Sequence, residues 1–183
     1  MTAALLAAAV AFPAAAADSY TIDPSHTYPS FEINHLGFSN MRGTFQTTSG
    51  KITIDPGKGG SIEATIDVAS VNTGFAKRDE HLRSPDFLDV AKYPTMTFKS
   101  SKLKFNGTAL ASAEGDLTLH GVTKPVTLTI TNFNCANHPM TKKPACGANA
   151  TTTIKRSDFG VSTFVPAISD EVKISIEIEA SKD

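Results

Sequence analysis

The stretch EVKISIEIEAS, Glu171 to Ser181, sets Val172, Ile174, Ile176 and Ile178 against Lys173, Ser175, Glu177 and Glu179. Successive side chains of an extended strand point to opposite sides, so this order gives one apolar and one polar face. That is the pattern of an antiparallel sheet with one side in water.

Working upstream, the same order recurs. KPVTLTITNF sets Val126, Leu128 and Ile130 against Thr127, Thr129 and Thr131, and Leu117 and Leu119 oppose Asp116, Thr118 and His120. Met96 pairs with Phe98 and Leu103 with Phe105, and Asn106-Gly107 then signals a hairpin. Ile62, Ala64, Ile66 and Val68 alternate with Glu63, Thr65 and Asp67; Ile52 and Ile54 alternate with Lys51, Thr53 and Asp55. Near the start, Phe31, Ile33 and His35 share one face, as do Met41, Gly43 and Phe45. About eight strands of this kind must bury their apolar faces in a sandwich or a closed barrel. An eight-stranded barrel is either filled by its side chains or wide enough for one small ligand. The chain is long for a seven-stranded immunoglobulin-type sandwich and has no Trp to mark one. The reading is an all-β single domain over residues 18–183, an eight-stranded antiparallel barrel with a short helical insertion at about 74–91.

The 183 residues carry a net charge of −1, which favours neither nucleic acid nor an anionic membrane surface. The opening MTAALLAAAVAFPAAAADS has a short apolar run, a Pro break and an A-x-A pattern before Asp18. It is too short to span a bilayer, and no later segment is an integral membrane span. Residues 1–17 read as the remnant of a signal peptide, its apolar and cleavage regions without the basic leader. Two cysteines, Cys135 and Cys146, flank NHPMTKKPA. In an exported chain such a pair is expected to form a disulfide, stabilising the fold by roughly 2–3 kcal/mol in the chain-entropy model.

The insertion DEHLRSPDFLDVAKYP, residues 79–94, reads as two short helical turns, the second opened by Ser84 as cap and Pro85 as first residue. Phe75, Leu82, Phe87 and Leu88 would face a surface such as an open barrel end, forming a lid, while Lys77, Arg78, Asp79 and Glu80 would be solvated. The acids therefore read as a charged face and not as an acid–base cluster. His26, His35, His81, His120 and His138 show no i,i+4 or H-x-H spacing, so no metal site is assigned. No Walker A, Rossmann or G-x-S-x-G pattern is present, and no catalytic residue is assigned. His35 stands on an apolar face and could meet a ligand's head group. In IKRSDFG, alternation puts Ile154, Arg156 and Asp158 on one face, where Arg156 and Asp158 must pair or lie beyond the apolar zone.

At these residues the chain resembles the YceI-like family. YTIDPSHTYPSFEINHLGFSNMRGTF, with its D-x-x-H and F-x-I-x-H-x-G elements, looks like the family's opening; RDEHLRSPDFLDVAKYPTMTFKS matches its most recognisable segment; GDLTLHGVTKPVTL and IKRSDFGV match two later ones. The resemblance runs from about Tyr20 to Ala180. Tyr20 stands where many relatives carry Trp, and the cysteine loop is an added feature. The resemblance implies a lipocalin-like barrel with an elongated apolar pore that binds polyisoprenoids or isoprenoid quinones, in proteins that are periplasmic or secreted and in some cases dimeric. No enzymatic activity comes with it.

The expected function is thus a periplasmic binding or carrier protein for a long-chain isoprenoid lipid or quinone, with no cofactor beyond that ligand. Candidate lining residues are Ile33, Phe45, Ile66, Phe98, Leu117, Leu119, Leu128, Ile130 and Ile176, with His35, Arg156 and Asp158 at the head group and Leu82, Phe87 and Leu88 in the lid. Two rivals stand beside it: an enzyme acting on a lipid or quinone through His35 and Arg156, and a barrel packed shut.

Overall fold

Alternation becomes a closed wall. The computed structural model describes residues 17–183; the signal-peptide reading therefore lies outside the described residues, apart from Ala17. Eleven strands follow in order: β1 (Asp18–Ile22), β2 (Ser30–His35), β3 (Ser39–Phe45), β4 (Thr48–Asp55), β5 (Gly59–Asp67), β6 (Val71–Asn72), β7 (Thr95–Asn106), β8 (Ala109–Leu119), β9 (Val122–Asn137), β10 (Pro144–Lys155) and β11 (Ile168–Lys182). They fill eight barrel positions, because β1 with β2, β3 with β4, and β5 with β6 are each one wall position interrupted by a break. β1 pairs with β4 and β2 with β3, while β5 and β6 continue along β4 and β3. From β5 the wall runs through β7, β8, β9 and β10 to β11, all antiparallel. The barrel closes where β11 pairs with β1 at one end (Ile22 opposite Ala180) and with β2 at the other (Phe31 opposite Ile174). Closure removes the open edges that would otherwise recruit other strands.

The D-x-x-H element makes the break between β1 and β2. Asp23 accepts from the Ser25 N–H and hydroxyl and lies 2.9 Å from His26 Nδ1. These bonds, led by the Ser25 hydroxyl, hold the Asp23 carboxyl down at about 2, and Asp23 in turn raises the His26 pKa. The LHG element turns β8 into β9 with His120 at φ 52° and Gly121 at φ 75°. Two successive left-handed residues make the hairpin turn that matches strand twist. A side chain at 121 would strike the Tyr93 ring, which packs 4.5 Å from the His120 ring. His120 therefore belongs to this turn and packs under the insertion, where continued alternation would have sent it outward.

The insertion holds one helix, α1 (Ala76–Arg83), not two. Ser84 donates its hydroxyl to the His81 carbonyl at the end of α1 and accepts from the Asp86 N–H as a cap does, but residues 85–88 and 90–92 are turns and no second helix forms. Phe75 is 55% exposed at the start of α1, under the Arg78 guanidinium, and does not help to cover the barrel. Asp79, expected in solvent, is buried and accepts from both the N–H and the hydroxyl of Thr73.

The expected disulfide is present and staples two neighbouring strands, with Cys135 of β9 directly opposite Cys146 of β10. Around it Tyr20, Ile22, Ile52, Ile54 and Ala180 are all buried, closing one end of the barrel as a floor. Toward the other end Val68, Met96, Leu119 and Phe159 form a second buried cluster against Leu88 and Val90 of the insertion.

Candidate ligand-binding cavity

The inward residues of β11 explain what the barrel encloses. Val172, Ile174, Ile176 and Ile178 all point inward, yet all are only half buried. Inward aliphatics remain exposed only when the interior is not filled by side chains. Between floor and mouth lies a cavity of about 490 Å³, lined by aliphatic and aromatic side chains from every barrel position. From Val172 to Ala180 the lining follows eight strand residues, about 20 Å along the axis after strand tilt. The lining at the floor, Ile52, Ile54, Cys146 and Ala180, is buried, whereas Phe164 and Arg42 at the other end are exposed, so the cavity opens there.

The structure places Ile33, Phe45, Ile66, Phe98, Leu117, Leu119, Leu128, Ile130 and Ile176 on the cavity wall, with His35 at its open end. Leu82, Phe87 and Leu88 line it from the insertion side. Alternation missed three polar neighbours that also reach it, Thr73, Arg78 and His81. Arg78 donates to the Thr73 hydroxyl and carbonyl, both at 2.7 Å, and His81 Nε2 lies 3.2 Å from Asp86. Phe164 was invisible to alternation too, because it sits on a loop at φ 62° with no strand periodicity.

The placing of Arg156 and Asp158 on one strand face is corrected. β10 ends at Lys155, and Arg156–Phe159 winds into a single 3-10 turn closed by Gly160 at φ 81°. That turn buries Arg156 and Phe159 and leaves Asp158 exposed and off the cavity wall. Arg156 donates to the carbonyls of Ser169, Val161, Thr163 and Ile168, each at 2.9 Å. Four of its five N–H groups are thereby committed to the chain that rims the mouth. Burial pulls its pKa down, and the nearby Asp170 carboxylate opposes that. Asp170 instead accepts from the Ser157 N–H and hydroxyl, which lowers its own pKa. Arg156 thus builds the mouth while standing on the cavity wall, with one N–H group left uncommitted. Thr163 ties the same rim to the insertion by donating to the Asp86 carbonyl.

Among the described residues no three metal-ligating side chains stand together. The arrangement is suited to enclosing an apolar chain.

The YceI-like domain model matches residues 20–180, nearly the whole described chain. The chain belongs to the YceI-like family. Protein YceI of Escherichia coli O157:H7 is 42% identical over 169 residues, covering 90% of this chain and 87% of that protein. A UPF0312 protein of Ectopseudomonas mendocina is 38% identical, covering 90% and 88%. Among solved structures, the Campylobacter jejuni YCEI protein superposes with a TM-score of 0.71 at 34% identity, covering 82% of this chain and 90% of that one. Burkholderia cenocepacia BcnA gives 0.74 at 27% identity, covering 86% and 98%. The fold is also shared with a polyisoprenoid-binding domain from Saccharophagus degradans, at 18% identity and a TM-score of 0.69, covering 90% and 98%.

Proposed function

We infer that the chain is a periplasmic binding protein that carries one long isoprenoid lipid or isoprenoid quinone in its barrel. The observation that carries this reading is the unfilled apolar cavity, closed at the floor and open at the mouth. Removing an apolar tail from water releases roughly 25 cal/mol per Å², less the costs of association. Aliphatic walls supply that gain without selecting among tails, so discrimination falls to the few polar groups at the mouth. Those are His35, Arg42, Arg78 and His81, with Arg156 on the wall but mostly committed to the rim; Asp158 drops out for the reason given. Leu82, Phe87 and Leu88 form the lid. The Saccharophagus domain, described as polyisoprenoid-binding, has a barrel of the same fold, and the disulfide suits an oxidising compartment.

Native mass spectrometry of the purified protein tests this. An adduct of isoprenoid mass is expected, and Ala150→Phe, which sets a ring into the lumen, should remove it while the protein stays folded. A bare polypeptide mass that an added isoprenoid alcohol fails to raise would overturn the reading.

A further inference from the structure

Four of the six large apolar side chains that stand exposed among the described residues surround one opening. Phe38 is 90% exposed, Phe164 57%, Phe75 55% and Leu36 50%. Leu36 and Phe38 lie on the turn between β2 and β3. The Leu36 N–H donates to the Ala167 carbonyl, which fastens that turn to the loop carrying Phe164. Phe164 packs 6.1 Å from Phe87 of the lid, and Phe75 follows the Thr73–Gly74 turn whose threonine reaches the cavity. The floor end, by contrast, exposes one such side chain, Met140.

We propose that this mouth is a docking surface for the interfacial region of a lipid bilayer, through which the ligand passes between membrane and barrel. The proposal rests on the lipid-binding reading. Its geometry is that of separate apolar tips projecting around a hollow. A rigid protein partner would need a matching plug, whereas a deformable hydrocarbon interface accepts the tips and continues into the cavity. The tail would then move from bilayer to lumen without crossing water, and exposure to water is the main cost of moving such a lipid. Charge decides the kind of surface. Residues 75–92 carry Lys77, Arg78, Arg83 and Lys92 against Asp79, Glu80, Asp86 and Asp89, and Arg42 is paired with Glu32. A balanced rim has no electrostatic claim on anionic lipid, so docking is by apolar insertion and is insensitive to salt.

The chain has no Trp, so Phe38→Trp places a single fluorophore on the tip. With zwitterionic phosphatidylcholine vesicles its emission should shift to the blue and be quenched by brominated lipid, equally at about 0.1 M and about 1 M salt. The double variant Leu36→Ser/Phe38→Ser should bind vesicles about tenfold or more weakly and take up vesicle-embedded isoprenoid correspondingly more slowly. Its affinity for a short isoprenoid alcohol offered in solution should stay unchanged, since neither residue lines the cavity. If the wild type binds that alcohol but the Phe38→Trp emission ignores vesicles, docking is overturned and the binding reading stands. A shift with vesicles but no isoprenoid binding would overturn the binding reading, and with it the passage of ligand through the mouth, and leave only the contact with the bilayer. A blue shift that grows with protein concentration in the absence of lipid, with a dimer in sedimentation, would mean that a second copy covers the tips and would also overturn docking.

Discussion

The floor and the mouth of this barrel are held by different physics. At the floor, Tyr20, Ile22, Ile54 and Ala180 are buried against one another beside a cross-strand disulfide. At the mouth, loops are held by charged side chains bonded to backbone: Arg156 to four carbonyls, Asp79 to Thr73. Opening the floor would expose packed hydrocarbon. Opening the mouth above the Val68, Met96, Leu119 and Phe159 cluster exchanges hydrogen bonds for water, at a net cost of roughly 1 kcal/mol each. The contrast teaches which end can work as a door.

The largest effect should come from Arg156→Met. It leaves four rim carbonyls without their donor, and it should cost about 3 kcal/mol and lower the melting temperature by about 10 °C. A melt unchanged in calorimetry would show that the rim is held some other way. Next, replacing both cysteines by serine should cost about 2–3 kcal/mol in urea denaturation and leave lipid exchange as it was. Exchange that quickens with the loss of the disulfide would erase the distinction between the ends. Smaller in stability, Leu82→Ala and Phe87→Ala should each cost about 1 kcal/mol, since both are half buried. They should nonetheless raise the rate at which bound isoprenoid moves to acceptor vesicles. A wild-type rate from both variants would remove the lid.

The smallest effect is a pH dependence at the break between β1 and β2. His26 has a raised pKa, chiefly through its hydrogen bond to Asp23, so its contribution is complete below the unfolded value of 6.5 and is lost as pH rises through the folded one. Asp23 has a lowered pKa, so its contribution is present above 3.8 and is lost as pH falls toward about 2. Proton NMR of the His26 ring should titrate above 6.5 in the wild type and return to the ordinary value in Asp23→Asn. Equal values in the two would remove the interaction.

The wall was legible because a strand facing a lumen on one side and water on the other must alternate. Every apolar lining residue named from alternation faces the cavity, from Ile33 to Ile176. The corners were not legible, because periodicity carries no information once the backbone leaves the extended region. Asp158 was misplaced when the strand period was carried past Lys155 into a 3-10 turn. Asp79 was sent to solvent because nothing in its spacing announces that Thr73 will supply two donors. The second helical turn stopped short although Ser84 does cap the Asp86 N–H, because the backbone turns left-handed at Asp89, φ 46°. The short motifs, D-x-x-H, LHG and RSDFG, mark those corners, where local hydrogen bonding replaces periodicity.

The pairing of β1 with β11 has a kinetic meaning. Ser19 and Thr21 hydroxyls meet the Asp183 carboxylate, joining residues more than 160 positions apart. The last strand pairs with both halves of the first wall position, β1 and β2. No lumen exists until it arrives, so the preceding strands hold their aliphatic faces open to any greasy competitor. Loops that long close late, and domains dominated by such contacts fold slowly. The ligand cavity is therefore the last thing the chain makes, and a lipid present at closure could be enclosed in the act of folding.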